Sequence, residues 1–252
     1  MIVKILGSSS KGNCYLFETA NTCLIVEAGI SISEVKKALN YNMSKILGCI
    51  ITHEHKDHSG CIKEYLSCGI KCYTSQGTVD VLGINNNVFI NVVKPLSMFS
   101  IGEWKILAFN TKHDCREPLG FLLNHKECGT VLFATDTYYL PNTFKNLNNV
   151  FIECNYSAEI LKNSNIDDSL KKRIISSHLS LETCINALKA NDLSKVENIV
   201  LLHLSDNNSD EKLFKQKVQE ATGKIVYIAN RNVEIKLGGF NEQSYITRSR
   251  GS

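Results

Sequence analysis

The sequence predicts an α/β layered domain, and two features of its pattern support this. Short apolar runs typical of strands recur along the chain, with helical spacing between the later ones. Histidines and aspartates fall at or just after the ends of several runs, where one rim of a sheet can bring distant residues together. Because no repeat or linker interrupts the pattern, we predict one domain over residues 1–246. Residues 247–252 are interpreted as a tail or an expression-vector remnant.

Strands are predicted where an apolar run is bounded by turn residues. In chain order these runs are 2–6, 14–18, 23–27, 46–52, 71–74, 105–110, 121–123, 130–134, 150–153, 199–202 and 225–229. Apolar residues at helical spacing predict helices at 33–39, 62–67, 181–190 and 210–221. The stretch 7–13, Gly-Ser-Ser-Ser-Lys-Gly-Asn, is the most turn-like segment and is predicted to be a loop.

The composition is that of a soluble globular protein, with 43% hydrophobic and 21% charged residues among 252. The chain shows no signal-peptide pattern and no apolar run near the roughly 18 residues of a membrane span. The 10 cysteines are scattered without a CxxC pair, so we expect reduced, mostly buried thiols in a cytoplasmic protein. A disulfide framework is the alternative. The net charge of +3 neither requires nor excludes nucleic acid.

The clearest chemical signal is the segment His-Glu-His-Lys-Asp-His at 53–58. In an extended loop, alternating side chains share a direction, so His53 and His55 can bind one cation together. Asp57 and His58 follow the bend and can face a second cation. Imidazole and carboxylate are usual ligands of Zn²⁺, and Mn²⁺ or Fe can also take them. A solvated surface loop is the alternative interpretation of the segment.

Three more polar residues follow apolar runs, namely His113, Asp136 and His203. Each alone is weak evidence, because a single histidine at a strand end is more often structural. Together with residues 53–58, their order resembles that of the metallo-β-lactamase superfamily over nearly the whole chain. The resemblance implies an αββα sandwich of two mixed β-sheets with helices on the outer faces.

The resemblance also implies two divalent metal ions, most simply Zn²⁺ with Mn²⁺ as the alternative. The ligands implied for the first ion are His53, His55 and His113, and those for the second are Asp57, His58 and His203. Asp136 is expected to bridge both ions, and Asp57 also to orient the attacking hydroxide. The bridging aspartate suits the phosphodiesterase branch better than true lactamases, in which a cysteine takes part.

One departure from the superfamily lies at Glu27, where an aspartate is usual. The family role is a buried carboxylate that holds the histidine loop, and we interpret the longer Glu27 as that group. An ordinary acidic residue at a strand end is the alternative.

Four segments, 7–13, 133–137, 151–155 and 202–208, resemble the YycJ/WalJ-like exonucleases. The segment Ser-His-Leu-Ser at 177–180 resembles a histidine motif of RNase Z. That resemblance implies that His178 donates a proton to the leaving oxygen and that Glu153 orients it. The YycJ-like pattern has two histidines separated by glycine before Leu-Ser, and the shorter segment here weakens the exonuclease assignment more than the phosphodiesterase one.

The serine-rich segment has two open interpretations. Its backbone N–H groups and polar side chains can form a substrate-binding cradle for phosphate, or it is a hairpin turn beside the site. The residues assigned to substrate binding are Ser8, Ser9, Ser10 and Asn13.

These patterns favour a two-metal phosphodiesterase acting on a nucleotide or a single-stranded nucleic acid. A second hypothesis is a cyclic mononucleotide phosphodiesterase of the anti-Pycsar type, acting on cyclic CMP or cyclic UMP, in the host cytoplasm if the chain is phage-encoded. A thioesterase, a lactonase and a non-catalytic binding protein that kept the fold are further hypotheses. A homodimer is expected because such relatives commonly form one, and no membrane partner is expected.

Overall fold

The structure is a computed structural model that describes residues 1–238 of the chain. The predicted tail at 247–252 and the end of the predicted domain lie outside the described residues, so the domain boundaries stay a prediction. Within 1–238 the strands form two seven-stranded sheets.

The first sheet is built from the N-terminal strands and one late strand. They are β1 (Ile2–Ser9), β2 (Gly12–Glu18), β3 (Cys23–Val26), β4 (Ile46–Ile50), β5 (Cys72–Thr74), β6 (Ile90–Val92) and β14 (Glu234–Lys236). The spatial order is β14-β1-β2-β3-β4-β5-β6. Pairing is antiparallel from β14 to β3 and parallel from β3 to β6.

The second sheet contains the remaining strands. They are β7 (Met98–Ile101), β8 (Trp104–Asn110), β9 (Leu119–His125), β10 (Gly129–Ala134), β11 (Leu147–Glu153), β12 (Asn198–Leu202) and β13 (Ile225–Ile228). The order is β13-β12-β11-β10-β9-β8-β7. Pairing is antiparallel from β7 to β10 and parallel from β10 to β13.

Helices connect the strands and cover both sheets. They are α1 (Ile32–Ala38), α2 (Lys56–Ser59), α3 (Ile62–Ser67), α4 (Gln76–Leu82), α5 (Ala158–Asn163), α6 (Asp168–Ser177), α7 (Leu181–Lys189) and α8 (Glu211–Thr222), with a 3₁₀ turn at Met43–Lys45. None of these helices is long and apolar enough to cross a membrane.

Three apolar clusters define the layers. In β2, Tyr15 and Phe17 join a cluster between the two sheets, whereas Cys14 and Leu16 join a cluster shared with α1, α3 and α4. Side chains alternate between the faces of a strand, so both faces of this sheet are covered. A third cluster joins the outer face of the second sheet to α7 and α8. The predicted αββα sandwich is therefore confirmed.

The segment 7–13 is not the predicted loop. Strand pairing continues through Gly7 and Cys14 to Ser9 and Gly12, after an irregularity that follows Ile5, and leaves only a tight turn. Gly7 permits this close approach, since a β-carbon there would collide with the carbonyl oxygen of Gly12. Of the two interpretations of this segment, the backbone takes the hairpin form.

Four helices and three strands were not predicted from the sequence: α2, α4, α5, α6, β6, β7 and β14. The strands are short edge strands, whose apolar runs are too brief to stand out. The helix α2 spans only four residues, too few to show a helical period. The 10 cysteines are free in the structure, in agreement with the expectation of reduced thiols.

Candidate metal centre

The predicted ligands meet at one rim of the sandwich. His53 lies beyond β4, His113 beyond β8, Asp136 beyond β10 and His203 directly after β12. The side chains of all four are almost fully buried. Each arrives at the end of a packed strand, and this scaffold fixes residues that are far apart in the chain.

The structure brings all the predicted ligands together in two groups with one shared member. The first group is His53, His55, His113 and Asp136, and the second is Asp57, His58, Asp136 and His203. In each group one ligand atom per residue lies within 4.8 Å of the others. These are the two sets that the family resemblance implies, and Asp136 is their common residue.

The hydrogen bonds of His53 suit a metal ligand. Glu27 Oε1 accepts the Thr52 hydroxyl proton at 2.6 Å, so the Thr52 oxygen can accept from His53 Nδ1 at 2.9 Å. This assigns the proton to Nδ1 and leaves a lone pair on Nε2. Nε2 is buried and has no hydrogen-bond partner among residues 1–238. A divalent cation would satisfy it.

His113 is oriented in the same way. Its Nδ1 donates to the Ser177 carbonyl at 2.8 Å, which leaves Nε2 directed at the cluster. A histidine whose outer nitrogen donates to a fixed oxygen is the usual arrangement at metal sites. The residues present therefore fit divalent metal ions.

The backbone at this rim is strained. Asp136 has φ of 43° and His203 has φ of 52°, and Glu27 has φ of 71°. Non-glycine residues rarely adopt the left-handed region, and such conformations cluster at functional sites. Strain at three residues of one cluster indicates that the fold holds them for a purpose other than stability.

The electrostatics of the cluster favour ionised carboxylates. Burial alone would raise the pKa of Asp57, but hydrogen bonds from His203 and His58 lower it well below its ordinary value. Burial opposes ionisation of Asp136 too, yet the histidines around it, His203 first, hold its pKa well below the usual range. The cluster therefore combines ionised carboxylates with imidazoles, a donor set that can bind a divalent cation.

Glu27 lies in the position inferred from the sequence. It is fully buried and accepts hydrogen bonds from the backbone N–H and the hydroxyl of Thr52. Its Oε1 also lies 3.3 Å from Nδ1 of His58. One carboxylate therefore contacts Thr52, which precedes the histidine segment, and His58 at its end.

Replacing Glu27 by glutamine should weaken metal binding about 10- to 100-fold, because the orientation of His53 and His58 depends on its two oxygens. Competition with a chromogenic zinc chelator would measure the affinity. Glu220→Gln, an exposed change on α8, is the matched control. An unchanged zinc affinity in Glu27→Gln would contradict the assignment.

Two contributors to the site were not predicted. Glu54 accepts from the backbone N–H of Arg116 at 2.6 Å and from the Thr78 hydroxyl at 3.2 Å, so it ties the histidine segment to the loop after His113. The Asn155 side-chain amide contacts Nδ1 of His203 at 3.1 Å. Neither role has a sequence signal, because each partner is distant in the chain.

Glu153 and His178 form a pair beside the ligands. His178 Nδ1 donates to Glu153 Oε1 at 2.6 Å, and Glu153 is fully buried at the end of β11. Backbone N–H groups of Thr137 and Leu179 also donate to Glu153. Burial lowers the pKa of His178, but the Glu153 carboxylate outweighs it and raises the pKa to about 9. The His178 ring stacks on His203 with centroids 5.5 Å apart.

A cavity of about 350 Å³, the metal cavity, opens over the cluster. Its walls include Ser10 at the hairpin tip and Leu170, Arg173 and Ile174 of α6, and His178 lines it as well. The volume lies within the range of small-molecule sites. A substrate in this cavity would contact both the candidate metal ligands and the His178 imidazole.

Of the four residues assigned to substrate binding, only Ser10 lines this cavity. The Ser8 hydroxyl accepts from the backbone N–H of His203, and the Asn13 amide, fully buried, contacts Asp57 and His58. Ser9 lies on an adjacent cavity. Ser8 and Asn13 therefore contact candidate ligands in this structure, and substrate binding by the four residues stays a prediction.

Comparison with known proteins agrees with this geometry. Residues 9–67 match the Metallo-beta-lactamase superfamily model. Exodeoxyribonuclease WalJ of Streptococcus pneumoniae is 29% identical over 230 residues, which cover 83% of each chain. Exodeoxyribonuclease YycJ of Bacillus anthracis is 27% identical over 232 residues, covering 86% of this chain and 87% of the relative. The short form of human tRNase Z superposes with a TM-score of 0.61 at 16% identity, over 94% of this chain and 99% of that one.

Proposed function

We propose that this chain, which carries a metallo-β-lactamase superfamily domain, is a two-metal phosphodiesterase that cleaves phosphodiester bonds in nucleic acid. The fold, the exonuclease-named relatives and the candidate metal site make it a metal-dependent hydrolase. The observation that carries the finer assignment is the Glu153–His178 pair on the wall of the metal cavity. Such a pair is what a poor alkoxide leaving group requires.

Divalent cations at the cluster would supply Lewis-acid activation of water and of the phosphoryl group. The proposed holders are the seven residues of the two groups, with Asp136 common to both. Asp57, which lines the cavity, is assigned the orientation of the attacking water. His178 uses Nδ1 to donate to Glu153, so Nε2 is the nitrogen free to protonate the departing oxygen.

The names of the relatives support a DNA substrate. WalJ and YycJ are both named exodeoxyribonucleases, and each aligns over more than four fifths of this chain, at 83% and 86%. The cavity of about 350 Å³ can also hold a mononucleotide, which keeps the cyclic mononucleotide phosphodiesterase as the second candidate.

We also propose Zn²⁺ as the native metal, because five histidines and two aspartates form the ligand set. Elemental analysis of the purified protein tests this, with Mn²⁺ as the outcome that would replace it. The homodimer and the cytoplasmic location stay predictions, and light scattering tests the first of them.

The function is tested with a substrate panel in the presence of Zn²⁺ or Mn²⁺: bis-p-nitrophenyl phosphate, single-stranded DNA, RNA, cyclic CMP and cyclic UMP. We expect degradation of single-stranded DNA and loss of all activity with a chelator. Turnover confined to the cyclic nucleotides would select the second candidate. Hydrolysis of a thioester or lactone but of no phosphodiester, by fully metal-loaded protein, would contradict the proposal.

A further inference from the structure

Helix α6 is poorly packed for an element beside a candidate active site. Only Ser177 of its ten residues is buried. Leu170 is 45% exposed and Ile175 is 54% exposed. The Ser177 carbonyl at its C-terminal end accepts from His113, and Arg173 donates to Asp114 at 3.2 Å. Leu170 and Ile175 each line a cavity, so their exposed side chains are available to a ligand.

The two sides of α6 face two different cavities. Leu170, Arg173 and Ile174 line the metal cavity. Asp168, Lys171 and Ile175, on the next stripe of the helix, line a second cavity of about 500 Å³. A single helix, about 10 Å across, therefore separates the second cavity from the reacting centre.

The opposite wall of the second cavity comes from α5 and from Tyr156, which lies three residues after the end of β11. This wall consists of Tyr156, Ala158, Leu161 and Lys162. Tyr156 is only 6% exposed, and the isolated bridge between Tyr156 and Ser180 holds its backbone in place. This wall therefore has a fixed backbone at Tyr156 and faces the exposed Ile175 side chain of α6.

The lining combines two kinds of chemistry. The exposed side chains of Ile175 and Ala158, with the small exposed part of Tyr156, offer apolar surface for a planar ring. The ammonium groups of Lys162 and Lys171 offer charge for a phosphate. Lys171 is held near Lys162, whose carbonyl oxygen accepts from Lys171 Nζ at 3.4 Å. Asp168 supplies an acceptor for ring N–H groups.

We propose that the cavity between α5 and α6 binds a nucleoside, with its phosphate, of the same strand whose phosphodiester is cleaved in the metal cavity. This inference rests on the proposed function. Two observations support a nucleotide of that strand as the occupant. Helix α6 is a wall of both cavities, and the second cavity combines lysines with apolar side chains. A strand crossing α6 would place one phosphate at the metal ligands and a neighbouring base against Tyr156.

The test uses metal-loaded protein and oligothymidylates of increasing length, with bis-p-nitrophenyl phosphate as a substrate that has no nucleoside. For the native chain, kcat/KM should rise with length until the cavity is filled. Ile175→Glu places a carboxylate in the second cavity and should abolish this gain, by about tenfold for the longer oligomers. Val81→Glu, at a 58% exposed aliphatic residue of α4 that lines neither cavity, is the matched control.

A second variant, Lys171→Ala, removes charge without adding bulk. It should reduce the slope of log affinity against log salt by about 0.7, the value for one phosphate contact on a single strand. Affinity is measured by fluorescence anisotropy with a labelled phosphorothioate oligothymidylate, so binding is observed independently of turnover.

The outcomes separate the two hypotheses. If the native chain cleaves no phosphodiester, the proposed function fails, while oligothymidylate binding that Ile175→Glu abolishes would still support the cavity. If Ile175→Glu matches Val81→Glu at every length and in anisotropy, the cavity proposal is wrong. A change of oligomeric state in Ile175→Glu, measured by light scattering with the length dependence intact, would assign this face to a second copy and also overturn it.

Discussion

Replacing Asp136 by alanine should lower phosphodiesterase turnover about a thousandfold or more and should reduce metal content at both positions. Asp136 is the one residue common to the two groups of candidate ligands. Its loss removes a carboxylate from each group, and it leaves His58 Nε2, now 3.3 Å from Asp136 Oδ2, without that partner. Loss of metal assistance worth several kcal/mol corresponds to a rate loss of this size.

Metal content is measured by mass spectrometry after gel filtration, and turnover with bis-p-nitrophenyl phosphate. Asp80→Ala on α4, at an exposed aspartate that accepts a hydrogen bond from Gln76, is the matched control and should keep both properties. Circular dichroism checks that the variant is folded. Full metal content together with normal turnover in Asp136→Ala would end the assignment of this cluster as the metal centre.

Replacing His178 by alanine should lower kcat about 10²- to 10⁴-fold for an oligonucleotide, whose leaving group is an alkoxide, because a positioned general acid contributes that much. The loss should be far smaller for bis-p-nitrophenyl phosphate. Its nitrophenolate leaves without a proton, so the imidazole has little to contribute. This contrast between the two substrates distinguishes proton donation from a structural role, which would lower both rates together.

Two further variants sharpen the test of His178. His178→Gln keeps a polar side chain but has no acidic proton to transfer, and should resemble alanine with the oligonucleotide. Glu153→Gln should show the same substrate contrast to a smaller extent, because the imidazole remains but loses its carboxylate partner at 2.6 Å. Metal content should stay intact in all three. A loss of metal in His178→Ala would show that His178 is itself a ligand, in the group it forms with Asp136, Glu153 and His203.

Much of the fold was predictable from local pattern. Strands such as β11 and β12 read directly as apolar runs, because side chains buried on both faces of a sheet leave little room for polar residues. The helices α3 and α7 followed from apolar spacing. The short edge strands and the four other helices were not predicted, because each has too few apolar residues to give a clear pattern.

The sequence by itself determined the chemistry of the site. The order and spacing of its histidines and aspartates indicated the candidate ligands. The roles of Glu27, Glu153 and His178 were predicted from the resemblance to the metallo-β-lactamase superfamily and to RNase Z. Only the tertiary structure decided which atoms face one another. It placed the Asn13 amide against the Asp57 carboxylate, and it made α6 a wall of two different cavities. Such contacts join residues far apart in the chain and depend on how the layers pack.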